Sequence, residues 1–201
     1  MNQVNYDKLL SDVIENLKQK GERKKLLLHA CCAPCATACI ERLKDAFDIT
    51  VYFYNPNIDT ELEYDLRAKE LVRYCANVGV NTVVEEHDKT AFNSAVSGFE
   101  REKEGGARCE ICFKLRLEKT ARKAREKGFD YFATTLTVSP LKNAKLINEI
   151  GERLEKENGV KYLATDFKKR GGYLRSIELS REYNLYRQNY CGCEYSKKTT
   201  E

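Results

Sequence analysis

Residues 26–35 read LLLHACCAPC, and this stretch sets the expectations for the whole fold. Its apolar start, residues 26–30, predicts a short buried strand that ends in a turn around Pro34. Three thiols, Cys31, Cys32 and Cys35, follow this strand directly. In open α/β sheets, ligands bind just outside the carboxyl ends of the strands. The stretch therefore predicts a sulfur-rich ligand site at the end of the first strand.

Strands and helices alternate along the rest of the chain. Further β-rich runs lie at 48–54, 81–87, 130–136 and 161–166, and helical patterns lie at 36–46, 60–78, 109–128, 141–157 and 175–189. Helices of this length between strands predict a parallel sheet with right-handed crossovers and helices on both faces. We expect one α/β domain over 1–201, with a flexible insertion at about 88–108. A C-terminal metal-binding tail at 190–201 is expected to fold back over the strand ends.

The composition indicates an ordinary globular chain. Of its 201 residues, 42% are apolar and 33% are charged, and the formal net charge is +4. No apolar run approaches the roughly 20 residues that span a bilayer, and the polar N-terminus lacks the apolar core of a signal peptide. We therefore expect a cytoplasmic protein without membrane contact. The small positive charge is compatible with nucleic-acid binding but does not argue for it.

The chain contains nine cysteines, which is a high number. Reducing compartments keep thiols reduced, so structural disulfides are not expected, and an odd number excludes complete pairing. Cys39 and Cys75 stand alone on helical stretches, where burial explains them. The other seven form three groups, Cys31-Cys32-x-x-Cys35, Cys109-x-x-Cys112 and Cys191-x-Cys193. The predicted topology lets all three groups meet at one edge of the sheet.

Four interpretations of these seven thiols compete. Packing alone does not explain two CxxC spacings and one CxC, and a dithiol redox pair needs only one CxxC. Structural zinc takes four ligands, often from two CxxC pairs, and three thiols would remain unexplained. An iron–sulfur cluster also takes four cysteines, and the spare thiols could hold a second metal. The iron–sulfur interpretation is favoured, with zinc as its main alternative.

The adjacency of two cysteines adds a constraint. Neighbours in an extended or turning chain point different ways, so Cys31 and Cys32 are predicted to serve different centres. The hypothesis is that four cysteines hold a [4Fe–4S] cluster and three hold a single adjacent metal, iron or zinc. The predicted cluster ligands are Cys32, Cys35, Cys109 and Cys112, and the predicted ligands of the second metal are Cys31, Cys191 and Cys193.

The sequence resembles the cobalamin-independent epoxyqueuosine reductases of the QueH family. The resemblance rests on four motifs. They are CCAPC at 31–35, YNPNI at 54–58 with Glu63, Tyr64 and Arg67 after it, RCEICFKLRLEKTA at 108–121, and TTLTVSP at 134–140. The closing segment RGGYLRSIELSREYNLYRQNYCGCEYS at 170–196 is also similar. The resemblance covers the chain from about residue 24 to 196 and departs at none of the cysteines.

This resemblance implies the last step of queuosine synthesis, in which an epoxide on a modified guanosine of the tRNA anticodon loop is reduced to the alkene. It implies a three-layer fold, with a five-stranded parallel sheet, of the adenine nucleotide alpha hydrolase-like (HUP) group, which contains iron–sulfur tRNA thiolases. The phosphate-binding signature of those ATP users is absent, so we predict no ATP use. The resemblance itself implies that no cobalamin is needed. A low-potential donor such as a ferredoxin or flavodoxin is the expected electron source. The rival functions are an iron–sulfur tRNA sulfurtransferase and a zinc-stabilised RNA-binding domain without enzymatic activity.

Other residues are candidates for proton transfer or for binding the RNA. The candidate proton donors at the strand ends are Tyr54, Ser139 and Asp166. The candidate substrate-binding residues are Asn55, Asn57, Arg170, Arg175 and Arg187. Basic and aromatic residues interleave in this way where proteins bind RNA loops, although capping, turn formation or solvation is an equal explanation. His29, within the apolar strand, is predicted to be buried rather than a ligand.

Overall fold

The computed structural model describes residues 4–197 and contains a five-stranded parallel sheet. The strands are β1 Lys24–His29, β2 Phe47–Phe53, β3 Asn81–Val84, β4 Tyr131–Thr134 and β5 Lys161–Tyr162. Their order across the sheet is β3-β2-β1-β4-β5, and every neighbouring pair is parallel. The predicted parallel sheet is therefore confirmed. β1 lies at its centre, so the thiols that follow β1 start from the middle of the carboxyl edge.

Helices cover both faces of this sheet. They are α1 Tyr6–Lys20, α2 Ala33–Leu43, α3 Glu61–Asn77, α4 Lys89–Ala95, α5 Ala107–Glu126, α6 Ala144–Asn158 and α7 Gly172–Glu182. Side chains alternate along a strand, so Leu26 and Leu28 pack in one core with α1, α2 and α3. Leu27 packs in the other core with α5 and α6. This confirms the three-layer architecture. Within residues 4–197, no helix has both the length and the apolar character needed to cross a membrane.

The last helix is shorter than the sequence pattern predicted. It ends at Glu182 instead of continuing to 189. Arg73 on α3 donates to the carbonyls of Tyr183 and Asn184, and Asn184 adopts a left-handed conformation with φ 47°. The chain beyond α7 therefore leaves the helix axis. We refer to residues 183–197 as the C-terminal segment.

β5 is also shorter than predicted, with two residues in place of a strand over 161–166. The amide of Thr165 donates to the Asn148 side chain at 2.9 Å, and the Thr165 carbonyl accepts from the same side chain at 2.8 Å. Because these backbone groups bond to α6, they are not available to a strand ladder. The chain then turns away from the sheet into a buried polar contact.

The expected flexible insertion at 88–108 begins with helix α4. The loop after α4 is tied to the start of α5, because Arg108 donates to the carbonyls of Phe99, Glu100 and Glu102. Arg108 itself is only 2% exposed. Of the predicted C-terminal tail at 190–201, residues 198–201 lie outside the described part of the chain.

Candidate metal centre

The first group of thiols lies in the turn between β1 and α2. Cys32 is the N-cap residue of α2 and Pro34 lies in its first turn, where proline is favoured. The sulfurs of Cys31, Cys32 and Cys35, which we call the thiol trio, all lie within 4.8 Å of one another. The N-terminus of a helix favours negative charge because its backbone N–H groups point outward. The trio is therefore placed where thiolates, and a metal that they bind, are stabilised.

The expectation that the side chains of Cys31 and Cys32 point in different directions is wrong, whereas the centres that they serve stay a prediction. Their sulfurs lie 3.8 Å apart. β1 ends at His29, so both cysteines lie in a turn, in which the alternation of a strand does not hold. A tetrahedral metal with bonds of about 2.3 Å to sulfur spaces its ligand atoms by about 3.8 Å. The two neighbouring cysteines thus already have the separation that one metal ion requires.

The trio shares negative charge unevenly. Hydrogen bonds from Cys32 and Cys35 hold the pKa of Cys31 well below its usual range. The same contact with Cys31 raises the pKa of Cys32 to about 12 and also raises the pKa of Cys35. These directions favour a thiolate at Cys31 and thiols at Cys32 and Cys35, and binding a metal releases the remaining protons.

Four other thiols line a second, narrow cavity, which we call the four-thiol cavity. Its cysteines are Cys109, Cys112, Cys191 and Cys193. The first two lie in the opening turns of α5, and the amide of Gly105 donates to the Cys109 sulfur at 3.2 Å. Burial raises the pKa of Cys112 to about 12 and raises that of Cys193. As in the trio, some of these thiols lie at a helix N-terminus, since Cys109 and Cys112 lie near the start of α5.

The C-terminal segment delivers two of these thiols and is held by contacts to the loop after β2 and to α3. The amide of Asp59 donates to the Gly192 carbonyl at 3.0 Å. Arg67 donates to the Cys191 carbonyl at 3.1 Å, and the Tyr190 hydroxyl donates to Asp59 at 2.9 Å. Gly192 has φ 132°, which favours glycine. These contacts fix the CGC stretch against the carboxyl edge of the sheet.

Cys191 connects the two groups of thiols. It lines the four-thiol cavity and also a wider cavity of about 380 Å³ that reaches Cys31 and Cys35. The other walls of this wide cavity come from the turn after β4, from α7 and from the C-terminal segment. All three cysteine groups therefore meet at the carboxyl edge of the sheet, and the open space lies beside the trio.

Three further predicted site residues line these cavities. Asn57 borders the four-thiol cavity, and its Oδ1 atom is buried without a hydrogen-bond partner among the described residues. Ser139 and Arg187 border the wide cavity. Asn55 is fully buried, and its side-chain amide donates to the Ala30 carbonyl at 2.9 Å. Asn55 thus holds together the ends of β1 and β2, and a role in substrate binding stays a prediction.

The two other candidate proton donors lie apart from the cavity walls. Tyr54 packs against α5, with the Lys119 ammonium 5.8 Å from its ring centre, and burial raises its pKa. Asp166 forms an ion pair with Lys168 at 3.0 Å. Neither residue lines the four-thiol cavity or the wide cavity. Their proposed proton transfer remains a prediction without support from these positions.

Two predicted substrate-binding arginines are engaged in surface ion pairs. Arg170 pairs with Asp7 at 2.9 Å, and Arg175 pairs with Glu41 at 3.0 Å. Neither lines the two cavities, and such exposed pairs contribute little to stability. Both remain candidates only for contacts with RNA outside the cavities.

The predicted buried residues lie where the sequence placed them. His29 is fully buried between Thr134 Oγ1 at 2.9 Å and the Tyr54 carbonyl at 3.2 Å. Burial lowers its pKa to about 3, so it is neutral at pH 7. Cys39 and Cys75 are buried in α2 and α3.

Sequence analysis missed two cations at the site. Arg116 is fully buried and lines the four-thiol cavity, whereas Lys142 is half-buried and lines the wide cavity. Although burial opposes it, nearby thiols raise the pKa of Lys142. A signal for Arg116 exists in the sequence, because it follows Cys112 by four positions and so shares its helix face. No comparable spacing singles out Lys142 among the basic residues of the chain.

Comparison with known proteins places the chain in a family. The family described as "Epoxyqueuosine reductase QueH" matches residues 26–199. The chain belongs to this family. The family protein of Staphylococcus epidermidis is 44% identical over 96% of this chain and 84% of its own length. The relative from Streptococcus pyogenes is 43% identical over 97% and 79%, and that of Thermotoga maritima is 38% identical over 85% and 89%.

Two solved structures share the fold at low sequence identity. The U34-tRNA thiolase NcsA from Methanococcus maripaludis, solved with its [4Fe-4S] cluster, superposes with a TM-score of 0.57 at 15% identity, covering 96% of this chain and 68% of that chain. A predicted subunit of tRNA methyltransferase from Methanocaldococcus jannaschii gives a TM-score of 0.52 at 14% identity, covering 78% and 75%. These similarities place the QueH-family chain in the fold group that its sequence implied.

Proposed function

We propose that this chain reduces epoxyqueuosine in tRNA to queuosine, using an iron–sulfur cluster and an adjacent metal. As a member of the QueH family, the chain is an epoxyqueuosine reductase and thus an oxidoreductase. The observation that carries the proposal is that Cys191 borders both cavities, so that thiols from three remote segments form one continuous site. In the reaction two electrons and two protons enter, both C–O bonds of the epoxide break, and the oxygen leaves as water.

The geometry favours a different division of the thiols from the one that their spacing suggested. The trio has sulfurs close enough for a single metal ion, whereas a four-iron cluster holds each thiolate on a separate iron and needs wider spacing. We therefore assign the single metal, iron or zinc, to Cys31, Cys32 and Cys35. The [4Fe–4S] cluster is assigned to Cys109, Cys112, Cys191 and Cys193, which matches the four cysteines that such a cluster requires. Their cavity is narrow, with a volume of about 20 Å³.

The side chains around the wide cavity suit the substrate. Its volume of about 380 Å³ falls within the range of roughly 300–1,000 Å³ that is typical of small-molecule sites. Lys142 places positive charge beside Cys31, where the departing oxygen becomes negative, and the Ser139 hydroxyl is close by. When bound, the cluster supplies single electrons and the second metal acts as a Lewis acid on the epoxide oxygen. The chain's own part is to hold the modified base there and to neutralise charge.

The rim of the wide cavity has the character of an RNA-binding surface. Leu141 lines the cavity and is 80% exposed, and Leu174, next to the lining residue Tyr173, is 63% exposed. The lining includes Tyr173, Tyr190 and Arg187. Proteins bind unpaired RNA bases by stacking them on aromatic rings and arginine planes. We propose that the substrate is tRNA carrying epoxyqueuosine at the anticodon wobble position.

The remaining partners follow from this reaction and not from a feature of the fold. A low-potential ferredoxin or flavodoxin is the proposed electron donor, with neither ATP nor cobalamin required. Since the substrate is tRNA, we place the reaction in the cytoplasm.

The decisive experiment is an anaerobic assay of the purified chain on tRNA that carries epoxyqueuosine, with dithionite as reductant. Nucleoside mass spectrometry should show the loss of one oxygen atom, and only with protein whose iron and sulfide contents indicate a cluster. The Cys109→Ala variant provides the matched control, because it lacks one proposed ligand while keeping the trio.

The rival functions give different results in the same assay. Product that carries sulfur and requires ATP would indicate a tRNA sulfurtransferase. A colourless protein that contains zinc, binds tRNA and forms no product would indicate an RNA-binding domain. Either result contradicts the proposed function.

A further inference from the structure

Arg116 is a buried cation for which the described residues provide no acidic partner. It is 0% exposed and lies on α5, one turn after Cys112. Its Nε donates to the Cys112 carbonyl at 3.2 Å, and its Nη1 reaches Asn55 Oδ1 only at 3.5 Å. Its Nη2 is buried and has no hydrogen-bond partner in residues 4–197. A buried charge is strongly unfavourable unless it is paired.

The other two buried arginines each also leave one buried nitrogen without a hydrogen-bond partner in residues 4–197, but they differ from Arg116 in the other groups that they contact. Arg67 forms an ion pair with Glu63 at 2.7 Å, and Arg108 donates to three backbone carbonyls. Arg116 has neither a carboxylate nor such a set of carbonyls. Its compensating charge must therefore come from the groups that face it.

Those groups are the thiols of the four-thiol cavity. Arg116 lines this cavity together with all four of its cysteines. The cavity also has one carboxylate in its wall, Glu104, but this residue is exposed to solvent. The guanidinium is therefore enclosed with the proposed ligands of the cluster.

We infer that Arg116 is the countercharge of the four-thiol cavity and makes the proposed cluster easier to reduce. Four thiolates and an iron–sulfur core carry net negative charge, and reduction adds one more. A fixed cation in a low-dielectric interior stabilises the more negative state most strongly, and the local charge and hydrogen bonding of a cluster set its potential. Arg116 is thus a positioning residue that acts through the cluster, and the inference rests on the proposed iron–sulfur site.

The test compares Arg116→Met, which removes the charge at similar length, with Arg116→Lys, which keeps it. Each protein is reconstituted anaerobically with iron and sulfide, and the midpoint potential of the cluster is measured by redox titration. We expect Arg116→Met to lower the midpoint potential by at least about 59 mV, which is a tenfold change in the equilibrium constant for reduction of a one-electron couple. Arg116→Lys should recover most of that loss. Arg42→Met, which removes an arginine paired with Asp7 at 2.7 Å, should leave the potential unchanged.

Thermal unfolding supplies a second readout that does not need the cluster. In iron-free protein, Arg116→Met should unfold at the same temperature as the parent or a higher one, because an unpaired buried charge is gone. In iron-loaded protein the same variant should unfold at a lower temperature than the parent. Arg42→Met should lower both temperatures by similar amounts.

Several results would overturn the inference. An unchanged potential in Arg116→Met, or loss of the cluster from both Arg116 variants, would show that shape and not charge matters. Equal destabilisation of the iron-free and iron-loaded forms would show an ordinary structural role. A parent protein that takes up no cluster contradicts the proposed function as well, whereas a parent with a cluster and an insensitive Arg116→Met contradicts this inference alone.

Discussion

The thiol trio and the four-thiol cavity differ in how the chain builds them. The trio comes from five consecutive residues, 31–35, at the turn from β1 into α2. The four-thiol cavity joins the start of α5 to a segment about 80 positions later, through Cys109, Cys112, Cys191 and Cys193. A local turn is set by its own backbone, whereas the cavity exists only while the C-terminal segment is docked. The two sites should therefore respond differently to the same perturbation.

The difference also separates two chemical tasks. The trio faces the wide cavity, in which a substrate has room, while the four-thiol cavity is narrow and more enclosed by protein. A metal centre that binds substrate must be accessible. An electron-transfer cluster must be shielded from water, because solvent exposure and local charge alter the reduction potential of the cluster. In the proposed function, the trio contacts the substrate and the four-thiol cavity holds the cluster that supplies electrons.

The largest expected effect separates the two sites directly. Cys112→Ala should lose the cluster and reduce product formation more than about 100-fold, beyond the usual effect of an outer-shell residue, while keeping the trio's metal. Cys31→Ala should lose that single metal and keep the cluster. Iron and sulfide analysis of each variant checks this, with Cys75→Ala, buried in α3 away from both cavities, as the control. If either variant loses all its metal, the two groups form one centre.

A second prediction concerns the docking of the C-terminal segment. Arg67→Met breaks the buried pair with Glu63 and the bond to the Cys191 carbonyl. Loss of one partner of a buried pair costs about 3–5 kcal/mol, so the segment should detach and the cluster should be lost, while the trio keeps its metal. Limited proteolysis within 183–197 and metal analysis measure both effects.

The control for this variant is Arg122→Met, whose pair with Glu118 is exposed. An exposed pair contributes about 0–1 kcal/mol, so this variant should resemble the parent protein. Equal sensitivity to protease in Arg67→Met and Arg122→Met would show that Arg67 does not hold the segment.

A third prediction uses the glycine between the two C-terminal thiols. An alanine at Gly192 would place its Cβ 3.0 Å from Asn57 Nδ2 and 3.2 Å from Ile58 Cγ1, at φ 132°. Such strain costs about 1–3 kcal/mol, and we expect Gly192→Ala to weaken cluster retention. Urea unfolding and iron content measure the effect. Gly98→Ala is the matched control, since Gly98 also has positive φ but nothing within 4 Å of the added carbon.

The smallest effect is a dependence of docking on pH. Burial raises the pKa of Asp59, but hydrogen bonds from Lys197 and Tyr190 outweigh it, so the folded pKa lies below its usual value. A carboxyl group whose pKa is lower in the folded state stabilises the docked segment above about pH 4. This contribution is lost as the pH falls through the folded-state pKa. Because Lys197 is half exposed, the effect should be at most about 1 kcal/mol.

Hydrogen exchange of the C-terminal segment in metal-free protein, followed from pH 7 to pH 3, measures this dependence. Protection should fall at the acid end in the parent protein and stay level in Asp59→Asn. A parent profile that is flat over the same range contradicts the role of Asp59.

Much of the architecture was predictable because it follows from the local pattern of apolar and polar residues. The run at 26–30 is apolar on both faces, and β1 indeed lies at the centre of the sheet with its residues buried from Leu26 to His29. The burial of His29 followed from the same pattern. β5 and the end of α7 were not predictable in this way, since Asn148 and Arg73 draw backbone groups away from regular structure through contacts between distant parts of the chain.

The meeting of the three cysteine groups at one edge of the sheet was predictable, but the spatial grouping of the sulfurs was not. The spacing of Cys31 and Cys32 suggested opposite directions, and the turn at the N-terminus of α2 brings their sulfurs together instead. Lys142 escaped notice because no spacing singles it out among the 35 basic residues of the chain. For Arg116 the spacing from Cys112 is a signal, but the sequence does not show that its guanidinium is buried beside thiols.

The amino-acid sequence alone determines the alternation of strands and helices, the family and the number of thiols. Each of these depends on a local pattern or on motifs that occur together in the chain. The packed molecule adds the spatial arrangement of those thiols, the docking of Cys191 and Cys193, and the burial of Arg116. These depend on distances between atoms that lie far apart along the chain, and such distances are fixed only when the sheet, α3, α5 and the C-terminal segment pack against one another.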